Sequence, residues 1–220
     1  DNSPEKTIEG VHLFIKNNLK NNDFLINLFG DEKEINSKLK KFNIDTSLVK
    51  ITHTNSVVSD KETPLTAIKN SKNTSMWNCI KSQVDGSSDI SLSAGNTGVL
   101  LVVSRMILKM MDKVSKPALA GLWPKEKGLN VVLDLGANIE CDDKNLVEFA
   151  ELGSALYKSL FQNETPKVSL LNVGSEEIKG TEILKNAYKK LKNLDSNNNF
   201  EFTGYSEGNT IMNGKSNVIV

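Results

Sequence analysis

Short apolar runs alternate with amphipathic helical stretches along the 220-residue chain, and the runs repeatedly break into glycine. That alternation constrains the fold most, because a strand feeding a helix that returns to a strand favours crossover connections and a parallel sheet. Ser3 as N-cap and Pro4 in the first turn predict an opening helix with Ile8, Val11, Ile15 and Leu19 at helical spacing. "DFLINLFG" predicts a strand, and Asp31 with Glu34 predicts a capping box for a helix through Lys41. "VKITHT" is the next strand, and "TSMWNCIKSQV" sets Met76, Trp77, Ile80 and Val84 on one helical face. A strand over "DISLS", a helix to about Met111, strands over "ALAGLW" and "LNVVLDLG", and a helix from about Asp143 to Leu160 follow. After Pro166, "KVSLLNVG" predicts a strand, "SEEIKGTEILKNAYKKLKNL" a helix start and body, "FEFTGY" a strand, and "NVIV" a final apolar piece. The expectation is an α/β chain with a largely parallel sheet. No repeat or domain boundary is visible, and "DSNNN" is the one low-complexity stretch, so residues 1–220 are taken as a single domain.

Composition narrows the function classes. Lysine plus arginine equals aspartate plus glutamate at 27 each, which gives no support to a broad nucleic-acid or anionic-lipid surface, so any anion site must be local. Cys79 and Cys141 lie far apart and lack zinc-ligand spacing, which suits a reducing cytosol better than a disulfide framework. "DNSPEKTIEG" lacks the regions of a signal peptide, and the longest apolar run, near Val99 to Met111, is broken by Ser104, Arg105 and Lys109.

Ligands in open parallel sheets bind at the carboxyl ends of strands. Four segments carry one style of strand end: "SAGNTG", "LDLGANIECDD", "LLNVGSEEIKG" and "FTGYSEG". In the first, Ser93, Gly95, Asn96, Thr97 and Gly98 precede an apolar helix, whose N-terminal amides and partial positive charge suit an anion. The plainer alternative is a tight turn with Ser93 or Thr97 capping the helix. In the second, Asp134, Gly136 and Asn138 are ligand candidates or hydrogen-bonding partners of their own loop. In the third, Asn172 and Gly174 lead to Lys179 among Glu176 and Glu177, where one cation can meet phosphate or polarise a carbonyl. The alternative there is a solvated helix start with acids favoured by the dipole. Glu207 occupies the fourth.

Other residues carry less. His12 and His53 are read as structural, since neither adjoins a motif. Cys141 has no histidine near it in sequence to activate it as a nucleophile. Glu140, Asp142 and Asp143 resemble a magnesium set but equally make an ordinary acidic helix start, the reading favoured here. The lysines of "NAYKKLKN" are read as a solvated face.

Taken together, "SAGNTG", "LDLGANIECDDKNLVEFAELGSALY", "PKVSLLNVGSEEIKG" and "FTGYSEG", with "GDEKEI", "ITHT" and "KNTSMW", closely resemble the PlsX family over essentially the whole chain. These are the acyl-carrier-protein:phosphate acyltransferases of bacterial phospholipid synthesis. The family begins with an "AVDAMGGD" stretch, of which Asp1 looks like the last residue, and continues after "NVIV" with a "DGFTGN"-like loop, so truncation at both ends is expected. Asn2 stands where several members have histidine, Asn70 and Ser71 where members often have basic residues, and Thr74 where the first serine stands. These departures weaken 70–74 as a contact for a negatively charged carrier protein. The resemblance implies a three-layer α/β/α fold with a largely parallel Rossmann-like sheet, like phosphate acyltransferases and isocitrate dehydrogenases. It implies transfer of a fatty acyl group from acyl-[acyl-carrier-protein] to inorganic phosphate, without cofactor or metal. Phosphate is itself the nucleophile, so no triad is needed. Phosphate or oxyanion contact falls to Asn96 and its neighbouring amides, electrostatic work to Lys179, and positioning to Asp134, Asn138, Asn172 and Glu207. The resemblance also implies acyl carrier protein as partner, a homodimer, and a cytoplasmic protein in peripheral contact with the inner membrane. A coenzyme A-dependent phosphate acyltransferase and a noncatalytic phosphate-binding module are the alternatives.

Overall fold

The computed structural model describes residues 3–18, 23–59, 61–194, 200–213 and 215–220; Asp1, Asn2, Leu19 and the "DSNNN" run lie outside them. The chain divides into two compact units, one ending at Lys109 and one beginning at Met110.

The first unit contains α1 (Glu5–Asn17), β1 (Ile26–Gly30), α2 (Glu32–Lys41), β2 (Val49–His53), α3 (Pro64–Asn70), α4 (Ser75–Val84) and α5 (Thr97–Leu108). β1 and β2 form a two-stranded parallel sheet with Ile26 opposite Val49. Ile8 and Ile15 of α1, Leu28 of β1, and Ile35 and Leu39 of α2 bury one cluster, as the helical spacing of these residues requires. Met76 and Ile80 of α4 pack with Val99 and Val103 of α5 in a second. Pro4 is the cap residue of α1 and not its first-turn residue; the Asp31 side chain accepts from the Glu34 N–H, supplying one arm of the expected box. Val84, the last residue of α4, continues the face of Ile80 but is exposed there.

Two expectations for this unit are corrected. Residues 89–93 form no strand: Ile90 and Leu92 are exposed, and the stretch is tethered to α4 through Ser91 Oγ, which donates to Cys79 O at 2.9 Å. An alternating pattern becomes a strand only where another strand offers a ladder, and none is paired there among the described residues. α5 also stops at Leu108, three residues short of Met111, because Lys109 turns to φ +67.

The second unit contains β3 (Gly121–Pro124), β4 (Leu129–Val132), α6 (Asp143–Leu160), β5 (Lys167–Leu171), α7 (Glu182–Leu194), β6 (Glu201–Ser206) and β7 (Val218–Ile219). They form a five-stranded sheet of order β3-β4-β7-β5-β6, parallel except for the antiparallel β3–β4 pair. The largely parallel α/β character expected from sequence is therefore present, but in two sheets, one in each unit. α6 runs over the expected residues and starts in a full capping box between Asp142 and Asn145. Val131, Leu133, Val168, Leu170 and Val218 pack with Phe149 and Tyr157 of α6 and Leu191 of α7. On the opposite face Val132 and Ile219 meet Ile211 of a short 3₁₀ helix, Gly208–Asn213, as a period of two demands. Residues 175–180, expected as a helix start, are a turn, and α7 begins at Glu182. No helix among the described residues is long and apolar enough to cross a membrane.

Candidate functional site

Because β4, β7, β5 and β6 are parallel, their carboxyl ends share one edge of the second unit's sheet. Asn172 follows β5 and Glu207 follows β6; Leu171 lies opposite Ser206, and the Asn172 N–H donates to Ser206 O at 2.9 Å, so the two loops start side by side. The Ser175 N–H then donates to Glu207 Oε1 at 3.1 Å, tying one loop to the other.

The loop after β5 is built around Asn172, whose side chain is buried against its own backbone. Its Nδ2 donates to Lys179 O at 3.1 Å, and its Oδ1 accepts from the Val173 N–H at 2.9 Å. Gly180 closes the turn at φ +91, and a Cβ there would come within 3.0 Å of the Asn172 side chain. Gly174 is needed for a different reason: Lys179 folds back over it, and a Cβ would lie 2.8 Å from Glu176 Oε2 and 3.1 Å from Lys179 Nζ. Lys179 Nζ is 2.9 Å from Glu176 Oε1, with both side chains about half exposed. Glu176, and more weakly Glu207, raise the Lys179 ammonium further above its ordinary value, while Lys179 lowers the Glu176 carboxyl. The edge thus presents one half-exposed cation paired to one carboxylate, on a loop whose Asn172, Val173 and Ser175 amides are held by Ser206 O, Asn172 Oδ1 and Glu207 Oε1. Glu177 belongs to another group: it accepts from the Tyr188 hydroxyl at 2.7 Å and lies 3.3 Å from Lys192 Nζ, on α7.

The loop after β4 has a different construction. Asp134 Oδ1 accepts from the N–H groups of Leu119 (2.7 Å) and Ala137 (3.2 Å), and Oδ2 from the N–H (2.7 Å) and Nδ2 (3.0 Å) of Asn138. Asn138 Nδ2 also donates to Pro117 O at 2.8 Å, and Gly136 takes φ +88 within the turn. Asp134 thus gathers N–H groups of its own loop and of Leu119, and Asn138 ties the loop to the segment before β3. Asp142 caps α6, Asp143 pairs with Lys190 at 2.9 Å, and burial pushes the half-buried Cys141 thiol up, away from a reactive thiolate.

In the first unit, "SAGNTG" follows an irregular stretch and not a strand. The cap of α5 is Asn96, where the sequence offered Ser93 or Thr97. Asn96 Oδ1 accepts from the Val99 N–H at 3.1 Å, and its Nδ2 donates to Glu62 O at 3.0 Å. Ser93 Oγ accepts from the Gly95 N–H at 3.2 Å, while Thr97 and Gly98 lie in the first turn, whose amides have no intrahelical partner. Gly95 lies against Met76 and Gly98 against Pro64, each with only 3.2 Å for a Cβ. Sequence reasoning missed Ser175, Gly180, Tyr188 and Glu62. Gly180 was within reach, as the last residue of "GSEEIKG"; the partnerships of the others cross turns or elements and leave no local signal.

The family described as "Fatty acid synthesis protein" matches residues 1–220. A "Phosphate acyltransferase" of Pelagibacter ubique is 50% identical over 220 residues, all of this chain and 64% of that protein. One from Parvibaculum lavamentivorans is 38% identical, over all of this chain and 60% of that protein. The chain thus spans less than two thirds of the length of these relatives. Among solved structures, the EutD phosphotransacetylase from Staphylococcus aureus superposes with a TM-score of 0.60 at 19% identity, over 87% of this chain and 68% of that one. A branched-chain phosphotransacylase from Enterococcus faecalis V583 gives 0.56 at 15% identity, over 90% and 79%. These two likenesses concern the fold.

Proposed function

The chain belongs to the fatty acid synthesis protein family, and from that premise we propose that the intact protein is a phosphate acyltransferase. It moves a fatty acyl group from acyl-[acyl-carrier-protein] to inorganic phosphate, giving acyl phosphate for phospholipid synthesis. The observation that carries the reading is Lys179, folded over Gly174 and held by Glu176 at the edge where the loops after β5 and β6 meet. A phosphate oxygen attacks the thioester carbonyl, the C–S bond breaks, and the carrier leaves as a thiolate that takes up a proton. Neither a protein nucleophile nor a metal is required for that exchange. Incoming phosphate displaces Glu176 from Lys179 and takes its place beside the ammonium, which like any lysine is charged throughout the neutral range. The first-turn amides of α5, from Thr97 and Gly98, are a second candidate anion cradle, with Asn96 fixing the turn. The same reading makes the intact protein a cytoplasmic homodimer in peripheral contact with the inner membrane.

The test is phosphate-dependent conversion of a long-chain acyl carrier protein, with acyl phosphate trapped by hydroxylamine, in the intact enzyme carrying this sequence. Lys179→Ala is expected to lower kcat/KM for phosphate by about 100-fold, the scale of losing one oriented charge at a developing oxyanion. Unchanged turnover in a folded Lys179→Ala enzyme removes the central role. Absence of turnover in the folded wild type sinks the transferase, and preference for acyl-coenzyme A replaces the carrier.

A further inference from the structure

The loop that carries Lys179 continues onto a cationic groove. Glu177 and Ile178 line it together with Lys185, Tyr188, Lys189 and Lys192 of α7, enclosing about 550 Å³. α7 has four lysines against one glutamate, in a chain whose 27 cations equal its 27 anions, so the local excess is not a reflection of overall charge. Lys185, Lys189 and Lys192 recur at i, i+4 and i+7 and lie along one face over about 10 Å. Lys190 is turned aside to Asp143, at 2.9 Å.

The groove already shows how it receives a carboxylate. Glu177 sits between the Tyr188 hydroxyl (2.7 Å) and Lys192 Nζ (3.3 Å), and these two hold its carboxyl below the usual range. Lys192 Nζ in turn lies 5.5 Å over the Tyr188 ring, which fixes the cation in place. Lys185 reaches back to Glu182 at 3.1 Å, and among the described residues Lys189 has no ion pair. Ile178, 82% exposed, adds an apolar contact beside the charges.

We propose that this face of α7 docks an acidic surface on the protein that carries the thioester, a partner whose existence rests on the function proposed above. A row of spaced lysines interrupted by one glutamate matches discrete carboxylates along a helix. The lysines surround a concave opening of about 550 Å³, which suits a convex acidic surface better than a flat anionic bilayer. The charges set approach and orientation, so their loss acts on association more than on chemistry.

The experiment uses the intact enzyme with Lys185→Glu and Lys189→Glu combined, and Lys189→Arg as the charge-preserving control. Binding of labelled acyl carrier protein is followed by fluorescence anisotropy, and turnover is measured separately. The double variant is expected to weaken carrier binding about tenfold and raise its KM similarly, with kcat within about twofold and the salt dependence of Kd reduced; the arginine control retains wild-type affinity. Undiminished binding by the folded double variant overturns the proposal, as does failure of the wild type to bind the carrier. Loss of binding to phosphatidylglycerol vesicles with carrier affinity unchanged overturns it in favour of a lipid-facing surface. Carrier binding that depends on these lysines without phosphate-dependent turnover keeps the docking face and sinks the acyltransferase reading, so the two failures are told apart.

Discussion

Gly180, at φ +91 under the side chain of Asn172, sets the shape of the loop that presents Lys179. An alanine there must hold a left-handed backbone and displace the Asn172 amide, which in turn bonds Val173 and the Lys179 carbonyl. Gly180→Ala is therefore expected to cost about 1–2 kcal/mol, measured as a lower urea midpoint, and to raise the KM for phosphate in the intact enzyme. An unchanged midpoint and KM would show that the loop re-forms without this turn. Gly174 makes a separate demand on the same loop, because the space over it belongs to Lys179 and Glu176. One lysine among three glutamates is an unpromising anion site in sequence; the tertiary contacts sort those acids into different tasks. Glu177 faces α7, Glu207 holds the Ser175 N–H, and Glu176 alone is paired to Lys179 at 2.9 Å.

Among the elements, α5 is the one whose start has two interpretations, anion cradle and ordinary cap. Asn96 supports the cap through its bond to the Val99 N–H and anchors it through Glu62 O. Asn96→Ala is expected to destabilise the first unit by about 1 kcal/mol, with Asn96→Ser recovering most of the loss, as read from denaturant unfolding followed at Trp77. If Asn96 also contacts phosphate, the serine variant recovers stability without recovering the KM for phosphate. Full recovery of both would confine Asn96 to capping. At β4 both Asp134 oxygens accept from Leu119, Ala137 and Asn138, so a ligand there would have to compete with these donors.

For the molecule as a whole, titration separates the units. All three tyrosines, Tyr157, Tyr188 and Tyr205, lie beyond Met110. Burial, then the hydrogen bond to Glu164, pushes Tyr157 up to about 12, and burial, then the bond to Glu177, does the same for Tyr188. An unfolded tyrosine loses its proton near pH 10. Between about pH 10 and 12 the unfolded state therefore binds fewer protons than the folded one, and stability falls as pH rises; below 10 the contribution is complete. Alkaline unfolding is expected at Trp123, in the second unit, before Trp77, in the first, when each is the lone tryptophan. Tyr157→Phe should shift the Trp123 transition upward. Coincident transitions insensitive to that substitution would refute the assignment.

The sequence by itself determined the elements whose signals are local. The span of α6 from Asp143 to Leu160, the Asp31 cap of α2, the strands after Pro166 and the glycine-rich turns all follow from spacing, caps and turn chemistry acting within a few residues. It also placed Lys179, Asn172 and Glu207 at strand ends. Tertiary structure decided what depends on partners distant in the chain. The alternating "DISLS" stretch found no ladder, β3 and β4 paired antiparallel within an otherwise parallel sheet, and β7 entered between β4 and β5. The same holds for side-chain partners: Asp134 and Asn138 bond across to residues 117–119 and Glu177 pairs with Tyr188 and Lys192 of α7, because a side chain meets the donors and charges that folding brings to it, and these are not written next to it in the sequence.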